Sequence, residues 1–162
     1  MVRSFLFATG IALTVIVAGC SSSDGSTSSG SGGCQEFKST ADLTKPTVSW
    51  KNDVMPIVTR ACAFSSCHGG GAGNLRLTQD AAASRTALVD VNATVSPTTK
   101  RVAAGNPSGS FMLKKIDGDI CFVADNCTNK NCGQTMPMGS TLLDVGERDT
   151  FRRWIAQGAT DN

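Results

Sequence analysis

The apolar residues of the first half of the chain recur at helical spacing immediately before a cysteine pair. One stripe at positions i, i+3, i+4 and i+7 is formed by Val54, Ile57, Val58 and Ala61. This spacing predicts a helix over residues 54 to about 62. Asp53 is the predicted N-cap, because it places Pro56 in the first helical turn, where a missing N–H has no intrahelical partner to lose.

Two further helices are predicted in the middle of the chain. A weakly apolar segment, mostly alanine, predicts a helix over residues 80–89. Asn106 followed by Pro107 is typical of an N-cap and first helical residue, and Gly118 is typical of a helix end. These signals predict a short helix that starts at Asn106 and stops at Gly118.

The last predicted helix is the most amphipathic. Asp144 and Glu147 form a capping-box pattern, and Gly158 marks the expected end of the helix. Its buried face is expected to join a small core made of Val54, Ile57, Phe111, Phe151, Trp154 and Ile155. No strand pattern is found, and residues 121–139 are predicted to be a loop. The fold class expected from these elements is mainly α.

The N-terminal residues resemble an export signal with a lipid-attachment site. Arg3 precedes an apolar run over residues 5–17, which is shorter than the roughly 20 residues that span a bilayer. The four residues that end at Cys20 resemble the bacterial lipobox. We therefore expect a signal peptide over residues 1–19, a lipidated Cys20 with a flexible Ser/Gly-rich tether over residues 20–45, and a folded domain over residues 46–162.

Charge and cysteine content narrow the class of protein. The formal net charge is +2 and no stripe of Lys or Arg is present, so nucleic acid is not expected as a partner. Seven cysteines in an exported chain indicate an oxidising compartment. Four of them are disulfide candidates, and the closeness of the last three predicts a bridge within residues 121–132. These candidates are Cys34, Cys121, Cys127 and Cys132.

The candidate chemistry centres on a cysteine pair with an adjacent histidine. Cys62 and Cys67 are separated by four residues, and His68, the single histidine of the chain, follows directly. Two thiols and a following histidine attach c-type haem, the thiols as thioethers and the imidazole as the proximal iron ligand. The usual spacer has two residues, so this one is longer.

The same residues are compatible with some other kinds of site and exclude others. Cys62 and Cys67 could form a disulfide beside an incidental histidine. Zinc could be bound by Cys62, Cys67, His68 and a later cysteine. A blue-copper site needs two histidines and is excluded. Hydrolytic catalysis is not expected, because the sole histidine is already assigned and no nucleophile has a second base.

The order of these elements resembles that of single-haem class I cytochromes c, and in particular the cytochrome c-like domains of the planctomycete-type group. The matching stretches are residues 48–70, 101–118 and 136–159, the last with the pattern MP…G…WI..GA. The resemblance implies a small helical domain with long loops and one covalently bound haem c. It also implies Cys62 and Cys67 as thioether positions, His68 as the proximal ligand and Met136 as the distal ligand.

The expected function is electron transfer in the bacterial cell envelope. A methionine sulfur raises the haem potential relative to a second histidine and occupies the position where O₂ or peroxide binds, so no catalysis and no small-molecule substrate are expected. Redox proteins of the envelope are the expected partners, with a lipid anchor at the outer membrane or periplasmic face. Two alternatives remain: a haem-free, disulfide-stapled binding module, and a haem sensor or peroxidase with an open iron site.

Overall fold

The computed structural model of the protein describes residues 36–162. The predicted signal peptide, Cys20, the Ser/Gly-rich residues after it and Cys34 lie outside these residues. The described part is mainly helical, as expected. Its α-helices are α1 (Met55–Ala61), α2 (Ala81–Leu88), α3 (Phe111–Asp117) and α4 (Val145–Ala156).

The first helical segment begins earlier than predicted. A π-helical turn, Trp50–Val54, runs directly into α1. Ser49 is the N-cap, because its hydroxyl accepts a hydrogen bond from the Asn52 N–H at 3.1 Å. The prediction of Asp53 as N-cap is wrong. Its carboxylate instead accepts from the Ser49 N–H at 2.7 Å, so Asp53 supplies the second half of a reciprocal cap.

Helix α3 begins later than predicted, although it ends as expected. The Asn106 side chain accepts from the Gly109 N–H at 3.0 Å, which closes a tight turn and not a helix. The start of α3 at Asn106 is therefore wrong, and Ser110 is the N-cap residue. Gly118 ends the helix with a φ of +81°, a conformation that glycine adopts without strain.

The two remaining helices lie where the sequence predicts them, and each has an aspartate as its N-cap. The Asp80 carboxylate accepts from the Ala83 N–H at 3.0 Å at the start of α2. The Asp144 carboxylate accepts from the Glu147 N–H at 2.8 Å at the start of α4. The capping-box pattern predicts the Asp144 cap, and both caps are local contacts of a short polar side chain.

A short hairpin lies between α2 and α3, and the expectation of no strands is wrong. Strand β1 (Asn92–Ala93) pairs antiparallel with β2 (Ser96–Lys100). Of the β2 residues only Ser96 is buried, so the strand lacks the apolar alternation that marks a half-buried strand in a sequence. The predicted loop 121–139 also contains short 3₁₀ turns, Ile120–Asn126 and Thr128–Lys130.

The core lies between the first helical segment, α3 and α4. The six residues predicted for the core are all buried. Phe111 lies in a second, smaller cluster with Ala93, Cys127 and Cys132, so its assignment to the same core is wrong. The other five lie in the main core, and they are Val54, Ile57, Phe151, Trp154 and Ile155. Leu77, Leu88 and Val102 extend it towards α2 and the hairpin. No helix within residues 36–162 combines the length and the apolar character needed to cross a bilayer.

Residues 36–45, which were expected to belong to the flexible tether, contact helix α4. The Ser39 hydroxyl donates to the Asp149 carboxylate at 2.7 Å. The Arg153 guanidinium donates to the Asp42 carbonyl at 3.0 Å. The Phe37 ring lies 4.0 Å from the Arg148 guanidinium. These contacts depend on the tertiary fold, so they leave no pattern in the local sequence.

Candidate cofactor site around His68

A cavity of about 750 Å³ opens between the cysteine–histidine loop, α3 and the loop that precedes α4. Its size lies within the range of roughly 300–1,000 Å³ typical of cofactor and ligand sites. Most of the side chains that line it are apolar, among them Leu75, Leu77, Leu88, Ala93, Val95, Phe111, Met112, Ile116 and Leu143. Cys62, Cys67, His68 and Met136 line this same cavity.

The longer spacer folds into a compact loop at the end of α1. The Cys67 N–H donates to the Phe64 carbonyl at 2.9 Å. The His68 N–H donates to the Cys62 carbonyl at 3.2 Å, which closes the loop at the two ends of the motif. The extra residues, including the exposed Phe64, are therefore absorbed by the loop while both cysteines and the histidine face one cavity.

Gly69 allows this loop to close. A Cβ atom at position 69 would lie only 2.3 Å from the carbonyl oxygen of Ala63 and 2.7 Å from that of Phe64. Real side chains do not approach backbone so closely. Position 69 therefore requires glycine, because two backbone segments approach each other closely there.

The His68 imidazole is oriented by a backbone carbonyl. Its Nδ1 lies 2.9 Å from the carbonyl oxygen of Ala72, and a carbonyl can only accept a hydrogen bond. Nδ1 is therefore the donor in this contact, and Nε2 is the ring nitrogen left to bind a metal. A hydrogen bond of this kind fixes the tautomer and the ring orientation of metal-binding histidines.

Both cysteines of the motif are free thiols. Burial raises the pKa of Cys62 to about 11, with a further contribution from Cys67, while the nearby Arg60 acts in the opposite direction. Cys62 is consequently a neutral thiol at physiological pH. The alternative of a Cys62–Cys67 disulfide is not what the structure contains.

The two methionines of the Met-Pro-Met segment differ in their surroundings. Met136 is partly buried against the main core, and its N–H donates to the Lys115 carbonyl at 2.9 Å. Met138 is 62% exposed. Both line the cavity, but only Met136 is fixed to α3 by a backbone hydrogen bond.

The later cysteines are oxidised. Cys127 and Cys132 form a disulfide, which confirms the predicted bridge within residues 121–132. Cys121 is disulfide-bonded as well. Within residues 36–162 no three His, Cys, Asp or Glu side chains gather where they could hold a metal ion. The zinc alternative therefore has no thiolate available from residues 121–132 as its fourth ligand.

Sequence reasoning missed the charged residues of the cavity wall. Arg101 and Lys115 line the cavity, as does the ion pair between Arg60 and Glu147. None belongs to a recognisable ligand-binding motif, and each lies on a different element of the chain. These cationic residues are far apart in the sequence, and only the folded structure brings them to one cavity.

Comparison with protein-family models, with curated proteins and with solved structures yields no match for this chain.

Proposed function

We propose that the protein is an electron carrier with one covalently attached haem c in the cavity described above. Cys62 and Cys67 would form the thioethers, His68 would be the proximal ligand and Met136 the distal ligand. The observation that carries the proposal is that these four side chains line one apolar cavity, in which the contact of His68 Nδ1 with a carbonyl leaves Nε2 as the ring nitrogen for iron. The resemblance to class I cytochromes c, found in the sequence, points to the same residues.

The donor set fits a haem better than a bare metal ion. A haem supplies four nitrogen ligands of its own, so the chain needs to provide only two axial ligands, and a cluster of three protein ligands is not required. Neutral imidazole and methionine thioether are both suitable axial ligands. The apolar walls match a flat, largely apolar cofactor.

The free thiols are in the state that attachment requires. A thioether forms when a thiol adds across a haem vinyl group, the sulfur bonding to one carbon and the hydrogen to its neighbour. This addition consumes no oxidant. A Cys62–Cys67 disulfide would first have to be reduced, so the reduced pair supports the proposal.

The environment of Met136 supports its assignment as distal ligand. A weak iron–sulfur bond is best retained by a residue whose backbone is held, and Met136 is tied to α3 through Lys115. Methionine stabilises ferrous iron and blocks the sixth position. A bound haem would supply the one-electron redox change, while the apolar walls would exclude water and His68 and Met136 would hold the iron.

The same proposal covers location and partners. With Cys20 as the lipid-attachment residue, the domain would be anchored at the outer membrane or the periplasmic face of a bacterial envelope. Redox proteins of that compartment would be its partners. Nucleic acid and small-molecule substrates have no place in this proposal.

The experiment is to test for covalent haem in the full chain, produced in a host that carries the cytochrome c maturation machinery. We expect haem to remain with the chain on a denaturing gel, and to be lost from the Cys62→Ser, Cys67→Ser double variant. Ser66→Ala, which changes an exposed side chain in the same loop, is the matched control and should retain haem. A chain that carries no haem under these conditions would contradict the proposal and favour the haem-free binding module.

A further inference from the structure

Two cationic side chains on the cavity wall have no role in the proposed electron-transfer site. Arg101 lies at the end of the hairpin and Lys115 in α3. Both line the cavity, which is otherwise mainly apolar. A positive charge at an apolar wall is unfavourable unless something compensates it.

Arg101 is held in place by neutral acceptors. Its guanidinium donates to the carbonyl oxygens of Ala87 and Asn74, each at 2.8 Å. These two bonds fix the position of the group between α2 and the loop that precedes it. They leave its positive charge without an opposite charge.

Lys115 is also held by neutral acceptors. Its ammonium donates to the carbonyl of Cys132 and, at 2.8 Å, to that of Gln134. It also lies 5.4 Å from the centroid of the Phe111 ring. Two of its three protons are thus assigned, and one remains for a further acceptor.

Neither cation forms a salt bridge with a carboxylate among residues 36–162. Two arginines elsewhere in the described chain do have carboxylate partners. Arg152 is paired with Asp117 and Asp149, and Arg60, which also lines the cavity, is paired with Glu147. Burial also lowers the pKa of both Arg101 and Lys115, which is the sign of cations that lack a compensating anion.

We propose that Arg101 and Lys115 form an anion site that binds the carboxylates of the cavity's ligand, which is therefore a largely apolar molecule with two acidic groups. Resting on the proposed function, this assigns the two residues as partners of the haem propionates. The chemistry is a charge-assisted hydrogen bond between each cation and a carboxylate in a site of low polarity. It orients the ligand and neutralises the two wall charges together.

The test uses mesoporphyrin IX and its dimethyl ester as probes of the full chain expressed without haem maturation. Mesoporphyrin has no iron and no vinyl groups, so neither axial ligation nor thioether formation can contribute to its binding. The two probes differ only in whether the carboxylates are free. We expect the diacid to bind at least tenfold more tightly than the ester, as measured by porphyrin fluorescence.

Matched variants assign this preference to the two residues. Arg101→Gln with Lys115→Gln should bring the ratio of the two affinities close to one, while Lys100→Gln, which removes an exposed neighbouring charge, should leave it unchanged. Arg101→Lys with Lys115→Arg keeps both charges and should keep most of the preference. This charge-conserving pair separates loss of the anion site from loss of the fold.

The outcomes also separate this proposal from the proposed function. Equal affinities for the two probes in the unmodified chain, binding of neither probe, or an equal loss in Lys100→Gln would overturn the anion site. Covalent haem in the matured chain is measured independently. If covalent haem is present while the ratio of the affinities for the diacid and the ester is near one, the proposed function is retained. The roles proposed for Arg101 and Lys115 are then wrong.

Discussion

The indole rings of Trp50 and Trp154 stack on each other, with ring centroids 4.6 Å apart and planes 24° from parallel. Both side chains are fully buried. Each indole N–H is also satisfied, that of Trp50 by the Ala81 carbonyl at 2.7 Å and that of Trp154 by the Thr160 carbonyl at 3.0 Å. The stack joins the first helical segment to α4, and so it supports the helix that leads into the cysteine–histidine loop.

We therefore expect Trp154→Ala to be among the most destabilising single changes. It should lower the free energy of unfolding by about 3 to 5 kcal/mol, because it removes a large buried ring and leaves a cavity. Urea denaturation measures the change. Phe122→Ala, at a ring that is 51% exposed, is the control and should change the free energy by about 0.5 kcal/mol or less. A loss below about 1 kcal/mol for Trp154→Ala would contradict this account of the core.

The raised pKa of Cys62 predicts slow alkylation in the haem-free chain. The thiolate is the reactive form, so the iodoacetamide reaction at Cys62 should accelerate with a midpoint near pH 11, in contrast to about 9 after unfolding. Mass analysis of the Cys62 peptide gives the rate. Since the folded chain retains this proton to higher pH than the unfolded chain, Cys62 contributes stability below pH 9 that is lost as the pH rises through 11. The same midpoint in folded and unfolded chains would show that Cys62 is not buried.

Local signals explain which parts of the fold were predictable. Asp80 and Asp144 cap their helices through side chains that bond a backbone N–H three residues later, so the sequence window contains all the information. Asp53 and Asn106 are also residues of the types favoured at N-caps, yet the N-cap positions are occupied by Ser49 and Ser110. In both cases the local sequence contains more than one candidate N-cap residue, and tertiary packing determines where the helix begins.

Only the part of the candidate site that forms a sequence motif could be predicted from the sequence. Cys62, Cys67 and His68 are adjacent in sequence, and Met136 followed from the resemblance to a known family. Arg101 and Lys115 could not be found, because their common feature is that they face one cavity from separate elements. The packing of residues 36–45 on α4 was missed for the same reason, since its contacts span about a hundred residues of sequence.

The predicted lipid anchor at Cys20 has its own test. Cys20→Ser should release a folded domain from the membrane fraction, because the proposed attachment depends on lipid at this one residue. Fractionation followed by detection of the protein measures this. Ser21→Ala, next to the modified position, should remain with the membranes. If Cys20→Ser stays bound after a salt wash, attachment does not depend on lipid at this residue.

The distal ligand is tested by comparing the two methionines. Met136→Ala should lower the potential and open the iron to carbon monoxide, because the partly buried thioether is removed from the sixth position. Met138→Ala should leave both properties unchanged, since this side chain is mostly exposed. The reverse result would move the ligand to Met138. If neither variant has an effect, the iron site is open and a sensor or peroxidase becomes the better account.

The visible absorption spectrum of the full chain, produced with the cytochrome c maturation machinery, tests the central claim most directly. Our account predicts the sharp bands of a low-spin ferrous c-type haem after reduction and the weak ferric band that marks methionine ligation after oxidation. His68→Ala should abolish the low-spin spectrum, because Nε2 of the single histidine is the proposed proximal ligand. A colourless protein, with Cys62 and Cys67 still free or joined in a disulfide, would contradict the account.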